Sequence, residues 1–229
     1  MIKMEKLILI DFCETITNSQ TFDPFIEFVI KETSPLKHSL CCSKISKTFW
    51  SILTRIHCKF KKPFYYYKWF IVKMIKGTPE TELYKMGREY YLNVIKPNLV
   101  PETIELLKDY ISENSKLIIV SGGACYYIKY FCEEYGIHDC ITTELEVSEG
   151  MSTGNILDDC LGNNKITMLQ KWVSKQNDIY ELNTFITDSK TDLPLLNLVK
   201  NKIVISRNNH QPWVTDNMKE IIWFSSNKS

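Results

Sequence analysis

The sequence predicts an α/β protein with a parallel sheet and a long helical insertion after the first strand. Three observations support this fold class. Short apolar runs without alternation, typical of strands buried on both faces, recur along the chain. Helical patterns separate most of these runs, as expected when helices cover a parallel sheet. Between residues 17 and 96 the apolar residues instead recur at helical spacing with no strand between them.

The elements follow in order from this pattern. Strands are predicted at five apolar runs that end in polar residues, at 6–11, 116–120, 183–187, 202–205 and 220–224. Helices are predicted between them, at 102–112, 125–135, 165–175 and 192–199. A stretch at 145–156 with two glycines is expected to form a hairpin or an extended loop. The insertion has helical spacing in, for example, Phe22, Phe25, Ile26 and Val29, and again in Phe49, Ile52, Leu53 and Ile56.

Charge is distributed unevenly along the 229 residues. The composition is that of an ordinary globular protein, which excludes disordered and collagen-like chains, and the formal net charge is +1. Between Thr33 and Gly77, the basic segment, there are ten basic residues and no acidic one. Because the whole chain is +1 and this segment is +10, the rest of the chain carries a net charge of −9. One part of the molecule is expected to face anions.

The basic segment also interleaves its charges with aromatic residues. One interpretation is a set of helices with a packed aromatic face and a solvated lysine face. A second interpretation is a surface that binds single-stranded nucleic acid or lies on an anionic membrane. A covering domain that attracts a phosphorylated substrate explains the same charge.

The sequence carries no signal for export or for a membrane span. Lys or Arg interrupts every apolar run before it reaches the length of a bilayer, and the amino-terminal run of four apolar residues is too short for a secretory signal. The eight cysteines include no Cys-x-x-Cys pair. We therefore expect reduced thiols in a cytoplasmic protein, and no zinc site.

Three strands end in side chains that can carry chemistry. Asp11, Ser121 and Asp188 follow strands at the edge where parallel sheets bind ligands. With Asp192 and Lys165 they would form a cluster of carboxylates and one cation, and converging carboxylates suit Mg²⁺. A Ser-Gly-Gly turn that opens a helix presents a hydroxyl and N–H groups to an anion. These features predict a phosphoryl-transfer site.

Four motifs, in this order, resemble those of the haloacid dehalogenase superfamily. They are Leu-Ile-Leu-Ile-Asp11-Phe-Cys13-Glu-Thr15, Ile-Ile-Val-Ser121-Gly-Gly, Gly162-Asn-Asn-Lys165 and Thr187-Asp188-Ser-Lys-Thr-Asp192-Leu-Pro. The set is most similar to the phosphoserine-phosphatase-like branch, which inserts a helical cap between the first two motifs. The resemblance implies a Rossmann-like parallel-sheet core formed by residues 1–17 and 97–229, and an α-helical cap formed by residues 18–96.

The resemblance also implies catalytic and phosphate-binding roles. Asp11 would be the nucleophile, forming an aspartyl-phosphate that water then hydrolyses. Lys165 would neutralise the nucleophile and the phosphate. Ser121 and the N–H of Gly122 would hold the oxygens of the transferring phosphoryl group.

A Mg²⁺ site follows from the same resemblance. Asp11, Asp188 and the backbone carbonyl of Cys13 would bind the ion, and Asp192 would be a further ligand or the partner of one. Thr15 would support the loop.

Two positions depart from the family. At Cys13 its phosphatases normally carry an Asp that protonates the leaving group and activates water, and losing such a group costs ~10²–10⁴ in rate. A thiol with a pKa of about 8.5 can donate a proton but accepts one from water poorly. Gln20 stands where phosphoserine phosphatases carry a Glu for the substrate ammonium, so Gln20 is a specificity residue that argues against phosphoserine.

We therefore expect a Mg²⁺-dependent phosphatase that acts on a small phosphorylated metabolite, such as a sugar, polyol or amino-alcohol phosphate. One alternative is a phosphotransferase of the same family, with hydrolysis weakened by Cys13. The other is a non-catalytic protein that binds anions or nucleic acid. The main hypothesis requires no nucleic acid partner and no membrane span, and it leaves open both peripheral membrane contact of the cap and the oligomeric state.

Overall fold

A seven-stranded sheet forms the centre of the computed structural model, which describes residues 4–60, 65–112 and 115–223. The strands are β1 (Met4–Ile10), β2 (Lys116–Ala124), β3 (Asp139–Ser148), β4 (Met151–Asp158), β5 (Ile179–Thr187), β6 (Asn201–Arg207) and β7 (Lys219–Trp223). Their spatial order is β4-β3-β2-β1-β5-β6-β7, and every neighbouring pair is parallel except the β3–β4 hairpin. The predicted α/β fold class is confirmed, and the five apolar runs lie in β1, β2, β5, β6 and β7, except that Asp11 follows β1 and residue 224 is outside the described residues.

Five helices lie between β1 and residue 97. They are α1 (Phe22–Thr33), α2 (Pro35–Cys41), α3 (Lys44–Phe60), α4 (Tyr66–Met74) and α5 (Glu80–Tyr90), followed by a π-helical turn (Tyr91–Ile95) and a 3₁₀ turn (Lys96–Asn98). The helices of the remaining chain are α6 (Pro101–Ser112), α7 (Cys125–Tyr135), α8 (Asn163–Val173) and α9 (Leu193–Leu196). The last is shorter than the predicted helix at 192–199: a 3₁₀ turn (Lys190–Asp192) capped by the Ser189 side chain precedes it, and it ends at Leu196.

One local prediction was wrong. Ser-Gly-Gly does not open a helix: β2 continues through it to Ala124, and α7 begins one residue later. Ser121 pairs with Thr142 and Ala124 with Thr143, so the two glycines between them bulge out of the pairing with β3. A Cβ on Gly122 would lie 2.5 Å from Leu161 Cδ2, so a larger residue there would require the Leu161 side chain to move.

Apolar side chains cover both faces of the sheet. Ile8 and Ile10 of β1 belong to a cluster that continues into α1, α4, α5 and α7, whereas Leu7 and Leu9 face a second cluster with α8 and α9. This alternation follows from the two-residue period of a strand. The inserted helices and the sheet thus share one apolar core, and the division into core and cap at 17/18 and 96/97 stays a prediction.

Two further features concern the environment of the chain. Within the described ranges, no helix has both the length and the apolar character needed to cross a bilayer. Every cysteine whose side chain the structure describes is a free thiol; the side chain of Cys58 lies outside that set.

Candidate active site

A cavity of about 350 Å³ opens at the carboxyl ends of β1 and β5. Its walls include the predicted site residues Asp11, Cys13, Gln20, Gly122, Lys165, Asp188 and Asp192. They meet here because carboxyl ends of parallel strands lie at one edge of a sheet and α8 begins beside them. Ser121 lies behind this wall and is fully buried.

A buried row of three charges forms the floor of the cavity. The Nζ of Lys165 is 3.1 Å from Asp11 Oδ1 and 2.7 Å from Asp192 Oδ2. Asp192 Oδ2 also accepts a hydrogen bond of 2.7 Å from Thr187 Oγ1. All three charged side chains are at most 7% exposed. Asp192 is therefore placed to hold Lys165 against the proposed nucleophile.

Burial and charge act against each other in this row. Burial raises the pKa of Asp11, and the charge of Lys165 lowers it by less. Burial lowers the pKa of Lys165, but the Asp11 and Asp192 carboxylates together raise it by more, so its net shift is upward. Lys165 consequently remains cationic at neutral pH, and its charge favours the ionised form of Asp11.

Asp188 is oriented by a residue of the first motif. Thr15 Oγ1 donates a hydrogen bond of 2.9 Å to Asp188 Oδ1 and accepts one of 2.9 Å from the Asp188 N–H. Burial and then the charge of Asp11 raise the pKa of Asp188. A buried and a half-buried carboxylate that disfavour each other's ionised form are a donor set that a hard divalent cation fits, because the cation favours the ionised form of both.

Cys13 occupies a buried and weakly polar position. Its Sγ lies 2.9 Å from Thr21 Oγ1 and 3.7 Å from Ser121 Oγ. Burial and then the charge of Asp11 raise the pKa of the Cys13 thiol to about 11. The thiol is thus protonated at neutral pH and can donate a proton but not accept one.

The remaining predicted residues also have defined contacts. Ser121 Oγ accepts a hydrogen bond of 3.2 Å from the Gly123 N–H, which fixes the hydroxyl beside Cys13. Gln20 lines the cavity and donates a hydrogen bond of 2.5 Å to Glu14 Oε2. Glu14 has a left-handed backbone (φ 57°) and faces a second, smaller cavity.

The wall opposite the nucleophile contains residues that the sequence did not single out. Phe22 and Asp23 of α1 line it together with Tyr65 and Lys68 near the start of α4. The Nζ of Lys68 is 2.6 Å from Asp159 Oδ1 and 4.1 Å from the centre of the Phe22 ring. The charge of Lys68 is therefore paired with the carboxylate of Asp159, a residue far away in the sequence.

Asp23 is the least compensated charge on that wall. Burial raises its pKa to about 6, although the charge of Lys68 lowers it. In the sequence Asp23 has the pattern of an ordinary acidic residue in the first turn of a helix. No spacing relates it to the motifs, so only the packing of α1 over the cavity identifies it.

A polar cluster lies away from the cavity, between α1 and the end of α2. Glu27, His38 and Cys42 each place a potential ligand atom within 4.8 Å of the others. Both oxygens of Glu27 already have partners, Lys47 Nζ at 2.7 Å and Tyr67 Oη at 2.7 Å. We interpret the cluster as a hydrogen-bonded contact between helices.

Comparisons with known proteins bear on the family and the fold of the chain. Residues 8–197 match the family model of haloacid dehalogenase-like hydrolases. A histidinol-phosphatase from Neisseria meningitidis serogroup C (strain 8013) is 31% identical over 130 residues, which are 55% of this chain and 59% of that protein. The chain thus spans somewhat more than half the length of this curated relative.

Solved structures share the fold at low identity. A protein of unknown function from Bordetella pertussis Tohama I has a TM-score of 0.73 at 17% identity, over 92% of both chains. A phosphoserine phosphatase with a phospho-aspartyl intermediate analogue has a TM-score of 0.55 at 20% identity, over 89% of this chain and 87% of that one. With a family model that covers most of its length, the chain belongs to the haloacid dehalogenase-like hydrolases, and its fold is of the phosphoserine-phosphatase type.

Proposed function

We propose that this protein is a Mg²⁺-dependent phosphatase that hydrolyses an amino-alcohol phosphate through an aspartyl-phosphate on Asp11. The observation that carries the proposal is the buried Asp11–Lys165–Asp192 row, which lies beside Asp188 on the floor of a cavity large enough for a small metabolite. An anionic nucleophile beside a fixed cation is what attack on a phosphate requires.

In the first step an Asp11 oxygen attacks phosphorus. The ester P–O bond breaks and its electron pair leaves with the alcohol oxygen, which takes up a proton. The charge of Lys165, 3.1 Å from Asp11 Oδ1, favours the ionised form of Asp11 and would neutralise the phosphate, and the protonated Cys13 thiol can donate the proton. Asp11, Asp188 and the Cys13 carbonyl would hold Mg²⁺, which when bound supplies positive charge opposite the phosphate oxygens.

In the second step water attacks the phosphorus of the aspartyl-phosphate. The P–O bond to Asp11 breaks, inorganic phosphate is released and the carboxylate is regenerated. The attacking water must give up a proton, and a Cys13 thiol with a pKa of about 11 is a poor acceptor. Hydrolysis of the intermediate is therefore expected to be the slow step.

The opposite wall favours a substrate with a cationic group. The carboxylate of Asp23 accepts no hydrogen bond from a described residue, and Phe22 and Tyr65 line the same cavity. An ammonium or imidazolium group would bind between a carboxylate and aromatic faces. Similarity to a histidinol-phosphatase supports the same class, whereas a sugar or polyol hydroxyl would donate a hydrogen bond to Asp23 without neutralising its charge.

The experiment is release of inorganic phosphate from a panel of monoesters, with and without Mg²⁺. Histidinol phosphate and phosphoethanolamine are expected to be hydrolysed in preference to glycerol phosphate and glucose 6-phosphate, and Asp11→Asn is expected to be inactive. Asp23→Asn should raise KM for the cationic substrates at least tenfold (about 1.4 kcal/mol) and leave KM for glycerol phosphate unchanged. No release above the Asp11→Asn background from any ester would contradict the proposal.

A phosphotransferase is the second candidate, and the high pKa of Cys13 favours it. An alcohol acceptor also loses a proton when it attacks, but it can bring its own amine or carboxylate as the base. Turnover that occurs only when an alcohol is added, with the phosphate recovered on that alcohol, would assign this activity instead of hydrolysis.

A further inference from the structure

Two consecutive helices of the basic segment expose a set of large apolar side chains. Its members are Leu36 and Leu40 of α2 and Ile45, Phe49, Ile52 and Ile56 of α3, each at least half exposed. On α3 the four positions follow the spacing i, i+4, i+7 and i+11, so at about 100° per residue they lie within an arc of roughly 60°. We call these six residues the apolar stripe.

The stripe is not the face that attaches α3 to the protein. Another face of α3 carries Trp50, whose ring stacks on Phe70 at 4.8 Å and on Tyr66 at 6.4 Å. The Oγ1 of Thr54 accepts a hydrogen bond of 3.3 Å from the Tyr66 N–H. Packing against α4 therefore holds the helix in place, whereas Phe49, Ile52 and Ile56, which the sequence periodicity predicts to be buried, stay at least half exposed among the described residues.

The charge around the stripe defines the chemistry of that partner. No acidic residue occurs from Ser34 to Pro79. Lys47 pairs with Glu27, whereas Lys44 and Arg55 form no ion pair with a described residue. On α3 these two residues lie about 60° to 120° from the arc of the stripe, on one side of it. An apolar stripe flanked by uncompensated cations is the pattern of a helix that lies in the interface of an anionic bilayer.

We infer that α2 and α3 bind the protein peripherally to an anionic lipid surface, with the apolar stripe inserted among the acyl chains and Lys44 and Arg55 at the level of the headgroups. A symmetric dimer through this face would bring two basic segments together, which charge repulsion disfavours. Nucleic acid would use the cations but leave six large apolar side chains in water. The anionic bilayer satisfies both features, and the inference does not depend on the proposed catalytic activity.

The test is co-sedimentation of the full-length protein with vesicles. Binding is expected to phosphatidylcholine vesicles that contain 30% phosphatidylglycerol, to be far weaker with phosphatidylcholine alone, and to fall as salt is raised. The double variant Phe49→Ser/Ile52→Ser should lower the partition coefficient at least tenfold, because two inserted side chains are lost. Arg55→Gln should lower it about fivefold, the contribution of one cation near an anionic surface.

Leu157→Ser is the matched control. Leu157 lies on β4, outside the stripe, and is 60% exposed, as much as the stripe residues. It should leave vesicle binding unchanged, and circular dichroism and phosphatase activity should be the same in all variants. Equal binding by the double variant and the wild type would overturn the inference, as would binding to neither vesicle.

Two other results would assign the face to a different partner and also overturn it. One is a concentration-dependent dimer, seen by light scattering, that the double variant abolishes while vesicle binding is absent. The other is binding of a single-stranded oligonucleotide that Arg55→Gln weakens and Phe49→Ser/Ile52→Ser does not.

Discussion

Replacing Cys13 by Asp should accelerate hydrolysis of the aspartyl-phosphate. The wild-type thiol is 7% exposed and its pKa is raised to about 11. At pH 7 roughly one thiol in 10⁴ is therefore ionised and able to accept a proton from water. A carboxylate in the same place could share hydrogen bonds with Thr21 Oγ1 and Ser121 Oγ, which lie 2.9 and 3.7 Å from Cys13 Sγ.

The size of the gain follows from the fraction of the group that is ionised. Burial and the nearby Asp11 would raise the pKa of the new carboxyl, but a carboxyl ionises far more readily than a thiol in the same surroundings, because its usual pKa is about 4 to 5 units lower. General base catalysis contributes ~10²–10⁴ in rate. We therefore expect Cys13→Asp to hydrolyse the phosphoenzyme about 10² to 10⁴ times faster than the wild type, with a cost in stability of about 1–3 kcal/mol for the larger side chain.

Single-turnover dephosphorylation measures this step without interference from substrate binding. Cys13→Asn is the matched control, since it has the shape of Asp but no acid–base function. Equal rates for Cys13→Asp and Cys13→Asn, in proteins with the same thermal unfolding midpoint, would refute the idea that a missing base limits the native protein.

Three other residues give separate predictions. Lys165→Met should abolish turnover. It should also lower the free energy of unfolding by about 3–5 kcal/mol, because it leaves the buried Asp192 carboxylate without its cation. A urea titration that shows a loss below about 1 kcal/mol would contradict this. Thr15→Val should weaken Mg²⁺ binding about tenfold, since Asp188 loses two hydrogen bonds that orient it, and calorimetry that shows unchanged affinity would contradict it. Because chiefly burial raises the pKa of Asp23 to about 6, its carboxylate is neutral below that pH and charged above it. The KM of Asp23→Asn for histidinol phosphate, divided by the KM of the wild type, should therefore rise as the pH increases from 5 to 8. A ratio that stays constant over this range would count against a role for Asp23 in binding the cation.

The parts of the site that lie at strand ends could be predicted from the sequence. Asp11 and Asp188 directly follow two apolar runs, and two parallel strands that pair with each other must end at the same edge. Lys165 joins them because a helix begins beside that edge. For these residues, the local sequence pattern and the order of the strands predict the same position in the fold.

Other parts depend on long-range packing and could not be predicted. Lys68 and Asp159 are separated by 91 residues and meet only because α4 packs against the β3–β4 hairpin. The Ser-Gly-Gly segment is equally compatible with a helix start and a bulge, and its pairing with β3 decides between them. The exposed half of α3 shows the same limit, since helical periodicity identifies an apolar face but not what covers it.

Trapping the aspartyl-phosphate tests the central claim most directly. The protein is mixed with Mg²⁺ and histidinol phosphate, quenched in acid and reduced with borohydride, which converts an acyl phosphate to an alcohol, and the peptide that contains position 11 is examined by mass spectrometry. We predict homoserine at position 11, absent without Mg²⁺ and absent in Asp11→Asn. Phosphate release with Asp11 unmodified, or reduction at another carboxylate, would contradict the account.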